Sequence, residues 1–180
     1  MRTTLAAFAL LAACGPSVAD GPAHVLIIRH AEKPEKGAGL SKQGEARAAA
    51  LPQLFVKSDG RPDPFPAPDF IIAAQTSDES SRPADTVAPL AKKLGLTVKA
   101  DVKDKHVEKV AEELKKKKYA GKTVLICWHH GEMPALVRAL GGTGSPDKIA
   151  EDTYDLIWRI DYKEGKAQTT LGTQKLMLKE

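Results

Sequence analysis

Three continuous apolar runs constrain the fold of this chain more than any other feature of its sequence. They occupy residues 25–28, 70–74 and 124–128. A strand with one face in water alternates apolar and polar residues, whereas a strand covered on both faces is apolar throughout. The three runs are therefore predicted to be inner strands of one sheet that has helices packed on both of its sides.

The segments between these runs carry the periodicity of amphipathic helices. A first helix is expected to begin at Ser41, a residue type that caps helix N-termini, and to be shortened by Pro52. Three further helices have apolar residues spaced three and four apart, which places them on one face. Their apolar residues are Val87, Leu90, Ala91 and Leu94; Val107, Val110, Ala111 and Leu114; and Met133, Leu136, Val137 and Leu140.

Together these patterns predict an α/β fold with three layers, α/β/α, in which a mostly parallel central sheet lies between two layers of helices. A short, weakly marked strand is expected at residues 96–98. Residues 156–162 and 169–178 are expected to form an antiparallel hairpin about Glu164-Gly165, at the C-terminal edge of the sheet. Residues 20–180 are predicted to form a single domain.

The first nineteen residues have the character of an export signal. They begin with Arg2 and continue with an apolar run, residues 5–13, that is too short to span a bilayer. Residues 17–19, Ser-Val-Ala, resemble a signal-peptidase site, which gives a signal peptide of residues 1–19. A protein exported to the periplasm or the cell exterior is therefore expected.

Two alternatives to this cleavage site remain open. Residues 11–14, Leu-Ala-Ala-Cys, resemble the lipobox of bacterial lipoproteins, which would give a signal of residues 1–13 and a lipid anchor at Cys14. That anchor is the one expected contact with a membrane. The other alternative is an N-terminal helix that is not cleaved.

Charge and cysteine content argue against several classes of protein. The net formal charge is +4, and the densest basic run, residues 115–118, is interpreted as the solvated end of a helix rather than as a nucleic-acid site. Cleavage after Ala19 would leave Cys127 as the only cysteine, and its apolar surroundings in the sequence indicate a core residue. No Cys/His spacing typical of zinc is present, and neither is a nucleotide-binding glycine loop.

Cationic and imidazole side chains follow the predicted strands at their carboxyl ends. Arg29 and His30 come directly after the first run, Arg82 lies eight residues after the second, and His129 and His130 come directly after the third. In open α/β sheets the carboxyl ends of parallel strands meet at one edge, where ligands bind. These side chains are therefore expected to lie close together.

Such a group of side chains suits phosphoryl chemistry. Arginine forks match the oxygens of a phosphate group in pairs, and a neutral imidazole nitrogen is a competent nucleophile toward phosphorus. Neighbouring arginines favour the neutral imidazole because like charges repel. Cationic side chains would also supply the charge stabilisation that a metal ion provides elsewhere.

Several segments resemble, in order and spacing, the motifs of the histidine phosphatase superfamily, which includes the phosphoglycerate mutase-like proteins. These segments are residues 25–28 followed by Arg29-His30-Ala31-Glu32, residues 40–44, residues 81–86 with Arg82 and Thr86, residues 124–130 followed by Pro134 and residues 140–142, and residues 154–158. The resemblance runs from about Ala23 to the C-terminus. The Arg-His-Ala-Glu form is similar to that of small phosphatase branches.

The resemblance implies a role for each residue at the predicted edge. His30 is expected to be the nucleophile, Arg29 and Arg82 to hold the phosphate group, and one of His129 and His130 to be a second histidine of the pocket. The implied activity is hydrolysis of a phosphomonoester or related phosphoryl compound through a phosphohistidine, with no metal and no cofactor. A small phosphorylated molecule is the expected partner, and no oligomeric state is predicted.

The choice between the two late histidines depends on which family pattern is applied. One pattern has the histidine five residues before a proline, which favours His129. The other has Trp, any residue, then His-Gly, with proline four residues after the histidine, which favours His130. We favour His130, since Gly131 after it would also let backbone N–H groups approach a phosphate closely. Side chains alternate along a strand, so the two histidines should point in different directions.

Departures from the family pattern leave the general acid open. Ala31 stands where many members have glycine, and no aspartate follows either late histidine, which disfavours the acid phosphatase and phytase branch. Glu132 and Glu32 are the two candidates for the acid. Glu32 is also a candidate for contact with the substrate, or for organising the loop in which it lies.

Two other kinds of function fit parts of the same pattern. A phosphate-binding pseudoenzyme of the same fold would keep the arginines without turnover. A metallohydrolase could use His30, His129, His130 and Glu32, although adjacent histidines rarely both reach one metal and no carboxylate cluster accompanies them. The sequence favours a phosphatase over both.

Overall fold

The computed structural model describes residues 21–176 of the chain. The predicted export signal, with Cys14, lies outside these residues, as does the end of the predicted second hairpin strand. Among the residues described, no helix has both the length and the apolar character needed to cross a bilayer.

A six-stranded sheet forms the middle layer of the fold. Its strands are β1 (His24–Arg29), β2 (Phe70–Ala74), β3 (Val98–Val102), β4 (Thr123–Trp128), β5 (Leu156–Lys163) and β6 (Lys166–Thr173), in the spatial order β3-β2-β4-β1-β5-β6. The first four in that order are parallel, and β5 and β6 continue the sheet antiparallel. The prediction of a mostly parallel sheet with an antiparallel hairpin at its edge is confirmed.

Helices cover both faces of this sheet. They are α1 (Lys42–Ala50), α2 (Arg82–Leu94), α3 (Val107–Leu114) and α4 (Met133–Ala139), with short 3₁₀ helices at Leu51–Phe55 and Lys117–Tyr119. The Ser41 hydroxyl accepts a hydrogen bond from the Gly44 N–H at 3.1 Å, which confirms the predicted cap. Pro52 lies in the 3₁₀ helix that follows α1, so the chain continues but the α-helix does not.

The alternation of side chains along β1 divides the core into two parts. Val25 and Ile27 pack with apolar residues of α3 and α4 on one face, while Leu26 and Ile28 pack with α2 and the first 3₁₀ helix on the other. All four are fully buried, as the continuous apolar run predicted. Cys127 lies in the second part of the core with no exposed surface, and burial raises the pKa of its thiol.

Two predicted strands differ from the observed ones in their bounds. The strand expected at residues 96–98 is β3, which begins at Val98, because the Leu96 N–H instead closes the end of α2 on the Ala91 carbonyl at 2.9 Å. The second hairpin strand begins at Lys166, earlier than expected, and ends at Thr173. A two-residue turn at Glu164-Gly165, both with positive φ, sets that register.

A close approach of two backbones places α1 next to the loop that follows β1. The Ser41 N–H donates to the Glu32 carbonyl at 2.9 Å. A Cβ atom at Gly44 would lie 2.4 Å from that same carbonyl oxygen, so only glycine allows the contact. The Gly44 position in the family-like segment therefore fixes the loop that carries His30 and Glu32.

Candidate active site

His30 is the first residue after β1 and lies at the carboxyl edge of the sheet. Its N–H donates to the Trp128 carbonyl at 3.0 Å, and only 3% of its surface is exposed. The Nδ1 atom lies 2.7 Å from the Ala31 carbonyl oxygen. A carbonyl oxygen only accepts, so Nδ1 carries the hydrogen and the neutral ring keeps its lone pair on Nε2.

The surroundings of His30 keep its ring neutral. Burial lowers the pKa of His30 to about 3, and the positive charges of Arg29 and Arg82 act in the same direction. The hydrogen bond to Ala31 opposes this shift but does not cancel it. At neutral pH the Nε2 lone pair is therefore available as a nucleophile.

Thr86 fixes the peptide that orients the His30 ring. Its hydroxyl accepts a hydrogen bond from the Ala31 N–H at 2.8 Å and donates to the Arg82 carbonyl at 2.7 Å. The side chain is 1% exposed, so no water replaces either bond. Thr86 belongs to the family-like segment of residues 81–86, but the sequence assigned it no role.

Replacing Thr86 with valine is expected to lower kcat by roughly 10-fold to 100-fold, since the Ala31 peptide and the His30 ring would lose their fixed position. The buried Ala31 N–H would also lose its acceptor, which costs about 1–3 kcal/mol in the free energy of unfolding. Thr86→Ser keeps the hydroxyl and is the matched control. Steady-state kinetics and urea unfolding measure the two effects. A valine variant with the kcat of the serine variant would show that Thr86 does not position His30.

Arg29 is buried beside His30 and holds the segment that precedes β5. Its Nη1 donates to the Thr153 carbonyl at 2.8 Å and to the Ala150 carbonyl at 3.2 Å. The guanidinium lies 3.9 Å from the centre of the Tyr154 ring, and that ring lies 6.1 Å from the His30 ring. Tyr154 is thus part of the site. The sequence analysis placed it only in the family-like segment of residues 154–158 and assigned it no role.

Arg82 begins α2 on the other side of His30 and is half-buried. Its Nη1 makes only long contacts of 3.3–3.4 Å, to the carbonyls of Gly37, Ala38 and Glu79. The Nε atoms of Arg29 and Arg82 are buried and have no hydrogen-bond partner within residues 21–176. Both arginines therefore keep donor capacity beyond what the protein uses, as the prediction of two phosphate contacts requires.

The register between two parallel strands decides which late histidine lies beside His30. β1 and β4 are neighbours, and Arg29 pairs with Trp128. The next residues, His30 and His129, therefore occupy equivalent positions, and their rings lie 5.0 Å apart. The preference for His130 does not agree with this geometry. The pattern on which it relied counts residues along one strand and says nothing about the pairing of two.

His130 lies on a different side of the site. It is half-buried, and the charges that act on the pKa of its ring after burial are those of Arg29, Glu151 and Lys33. His129 instead lies near Arg82 and Asp104, and burial lowers the pKa of both histidines. Of the two rings, the one that contacts the His30 ring among the described residues is that of His129.

Neither of the two predicted candidates for the acid, Glu32 and Glu132, forms a hydrogen bond or ion pair with His30, Arg29 or Arg82 among the described residues. Glu32 accepts hydrogen bonds from Arg47 Nε at 3.0 Å and Arg47 Nη2 at 2.6 Å, and only 7% of it is exposed. This pair occupies the Glu32 carboxylate and ties the loop after β1 to α1. Glu132 is the residue before α4, and no contact among the described residues joins its side chain to His30 or to either arginine.

Besides Glu79, Asp104 is the carboxylate that the structure brings to this side of the site. It lines a cleft of about 550 Å³ together with Arg82 and His129. The Trp128 indole N–H donates to the Asp104 carbonyl at 2.9 Å and fixes this loop. Its negative charge raises the pKa of His129, against the larger effect of burial. Asp104 follows β3, so a correct placement of that strand in the sequence would have pointed to it.

No group of three or more His, Cys, Asp or Glu side chains within residues 21–176 has the geometry of a metal site. The arrangement of His30, His129, His130 and Glu32 considered from the sequence is therefore not assembled. Glu32 is held by Arg47, and within the described residues the His30 ring has a ring contact with His129 and none with His130.

Comparisons with known proteins agree with the fold. No protein-family model and no curated protein matches the sequence. A phosphohistidine phosphatase SixA structure from Agrobacterium tumefaciens matches with a TM-score of 0.54 and 17% identity, over 88% of this chain and 99% of that chain. The alpha-ribazole phosphatase from Shigella flexneri matches with a TM-score of 0.59 and 15% identity, over 87% of this chain and 100% of that chain.

Both solved structures are histidine phosphatases in fold. The chain therefore has the fold of the histidine phosphatase superfamily, as the order and spacing of its motifs predicted.

Proposed function

We propose that the chain is a phosphatase that transfers the phosphoryl group of a phosphomonoester or related compound first to His30 and then to water. The observation that carries this proposal is the Nδ1–H···O hydrogen bond from His30 to Ala31. It leaves the Nε2 lone pair free, in a ring that burial and two arginines keep neutral. The activities named for the two solved structures are consistent with this chemistry.

The first step exchanges one phosphorus bond for another. His30 Nε2 forms a bond to phosphorus while the bond from phosphorus to the leaving oxygen breaks. Arg29, Arg82 and His129 donate to the phosphoryl oxygens, where negative charge must be stabilised in the transition state. Asp104 enters this step in its protonated form and gives the proton to the leaving oxygen, so that an alcohol departs rather than an alkoxide.

The second step restores the enzyme. A water molecule attacks phosphorus from the side that the alcohol has left, Asp104 accepts its proton, and the bond from phosphorus to Nε2 breaks. Phosphate is released and the His30 lone pair returns. Reversing the role of one carboxyl group between the two steps needs no further acid or base.

Replacing Asp104 with asparagine is expected to affect substrates according to their leaving groups. Alkyl phosphates need a proton on the leaving oxygen and should lose about 10²–10⁴-fold in kcat/KM, whereas 4-nitrophenyl phosphate should lose much less. Asp101→Asn is the matched control, because Asp101 is exposed and pairs with Lys99 at 2.6 Å. An equal loss for every leaving group, or none, would show that Asp104 is not the proton donor.

Phosphatase activity is expected to survive metal chelation, since Arg29 and Arg82 supply the positive charge at the site and the neutral His129 ring supplies a further hydrogen-bond donor. Purified protein should keep its rate of 4-nitrophenyl phosphate hydrolysis after dialysis against EDTA, and vanadate should inhibit by occupying the place of the transferred group. A rate that falls in EDTA and returns with a divalent ion would instead support a metallohydrolase.

A further inference from the structure

One wall of the cleft beside His129 is basic and lies beyond the groups that contact the transferred phosphoryl. Lys103 and Lys105 are exposed and line this cleft together with Arg82, so that its three cationic side chains outnumber its two carboxylates, Glu79 and Asp104. Within the described part of the chain, neither ammonium group has a carboxylate within ion-pair distance. Two positive charges at the rim of a phosphoryl site are therefore available to a ligand.

The backbone that carries these lysines is fixed. The Trp128 indole holds the Asp104 carbonyl at 2.9 Å, and the His106 N–H donates to the Lys103 carbonyl at 2.9 Å. The Lys105 N–H donates to the Asp104 carboxylate at 2.9 Å. The core residue Trp128 thus positions the loop. The Cα atoms of Lys103 and Lys105 are therefore held in a fixed position relative to Arg82 and His129.

The opposite side of the site carries the opposite charge. Glu151 and Asp152 lie near Arg29, where their negative charges act on its guanidinium. Lys33, the cation on that side, lies 3.8 Å from Glu151 and is compensated by it. Of the two sides, the lysine side is the one that offers ammonium groups without a carboxylate partner among the described residues, so a second anionic group on a substrate would be attracted there.

We propose that Lys103 and Lys105 form a second anion subsite, which selects phosphate esters that carry another anionic group, a carboxylate or a second phosphate, on the leaving group. The proposal rests on the phosphatase function proposed above. Arg29, Arg82 and His129 hold the phosphoryl group that is transferred, and the lysines hold the anionic group that leaves with the alcohol.

The test compares 3-carboxyphenyl phosphate with its methyl ester, because the two esters have similar shape and differ in charge. The wild-type protein should show a higher kcat/KM for the carboxylate. In the double variant Lys103→Gln/Lys105→Gln, the ratio of the two kcat/KM values should fall by about tenfold, as expected for the loss of two exposed charge pairs. The ratio should also fall with rising salt in the wild-type protein but hardly in the variant.

The matched control is Lys92→Gln/Lys93→Gln, which removes the same charge from the last turn of α2 and leaves the cleft unchanged. Its ratio should equal that of the wild-type protein. If both esters are hydrolysed and the double variant at 103 and 105 keeps the wild-type ratio, the subsite is wrong while the phosphatase function stands. If neither ester is hydrolysed by the wild-type protein, the proposed function fails and the subsite fails with it.

Discussion

Replacing His30 with alanine is expected to reduce turnover by about 10⁴–10⁶-fold, because removing a nucleophile abolishes the covalent route. The fold should persist, since His30 lies at the edge of the sheet and not in either part of the core. Turnover of 4-nitrophenyl phosphate and the circular dichroism spectrum measure the two properties. His24→Ala is the matched control, because His24 is the first residue of β1 and lies at the amino end of the strand, whereas His30 follows its carboxyl end.

The intermediate itself gives a second measure of this prediction. Brief reaction with substrate followed by quenching should leave one phosphate on His30, labile to acid and stable to base, in the wild-type protein and in His24→Ala. A His30→Ala variant that retains near-normal turnover would falsify the nucleophile assignment. A wild-type protein that binds phosphate but never forms the intermediate would be a phosphate-binding pseudoenzyme.

The state of the His30 ring before reaction is also measurable. Because burial lowers its pKa to about 3, the ring should stay neutral throughout the range between pH 5 and 8. Ring ¹⁵N chemical shifts should show hydrogen on Nδ1 and a lone pair on Nε2, the tautomer that the Ala31 carbonyl imposes. A titration midpoint near the ordinary value of about 6.5 would mean that the pocket does not hold the ring neutral.

The fold could be predicted because its inner strands are buried on both faces and are therefore continuous apolar runs in the sequence. Every residue of β4 is buried, and a strand with no face in water has no polar position to interrupt the pattern. The convergence of Arg29, His30, Arg82 and the late histidines follows from the same fact, since parallel strands bring their carboxyl ends to one edge. The two strands whose bounds differ from the prediction are not buried on both faces: β3 is half-buried, and β6 is largely exposed.

The site could be predicted only as far as it depends on single strands. The choice of His129 over His130 needs the register of β1 against β4, and the pairing of Glu32 with Arg47 needs the packing of α1 on the loop after β1. Neither the strand register nor the helix packing can be predicted from the spacing of residues within one segment. The sequence analysis missed Asp104, the proposed acid, for a similar reason, because its place at this edge becomes visible only when β3 is placed beside β2.

Burial, with a smaller contribution from a cationic neighbour, lowers the pKa of all three histidines of this site. Burial lowers the pKa of His30, His129 and His130, and the charge of Arg29 acts on all three in the same direction. The tautomer of His30 then distinguishes it, because its Nδ1 is the only one of these ring nitrogens with a carbonyl acceptor among the described residues. The proposed nucleophile His30 thus differs from the proposed donor His129 in one hydrogen bond, that of its Nδ1 to the Ala31 carbonyl, and in its position after β1.

Replacing His129 with alanine is expected to lower kcat by about 10²–10³-fold, the usual cost of losing one donor to the transition-state oxyanion. The ring lies 5.0 Å from His30 and shares a cleft with Arg82, so it can donate to an oxygen of the group that His30 attacks. His130→Ala is the matched control, an adjacent histidine whose neighbours are Arg29, Glu151 and Lys33, and its loss should be much smaller. Single-turnover rates of phosphoenzyme formation compare the two directly. If His130→Ala shows the larger loss, the strand register does not decide which histidine works, and the Trp-x-His-Gly pattern is the better guide.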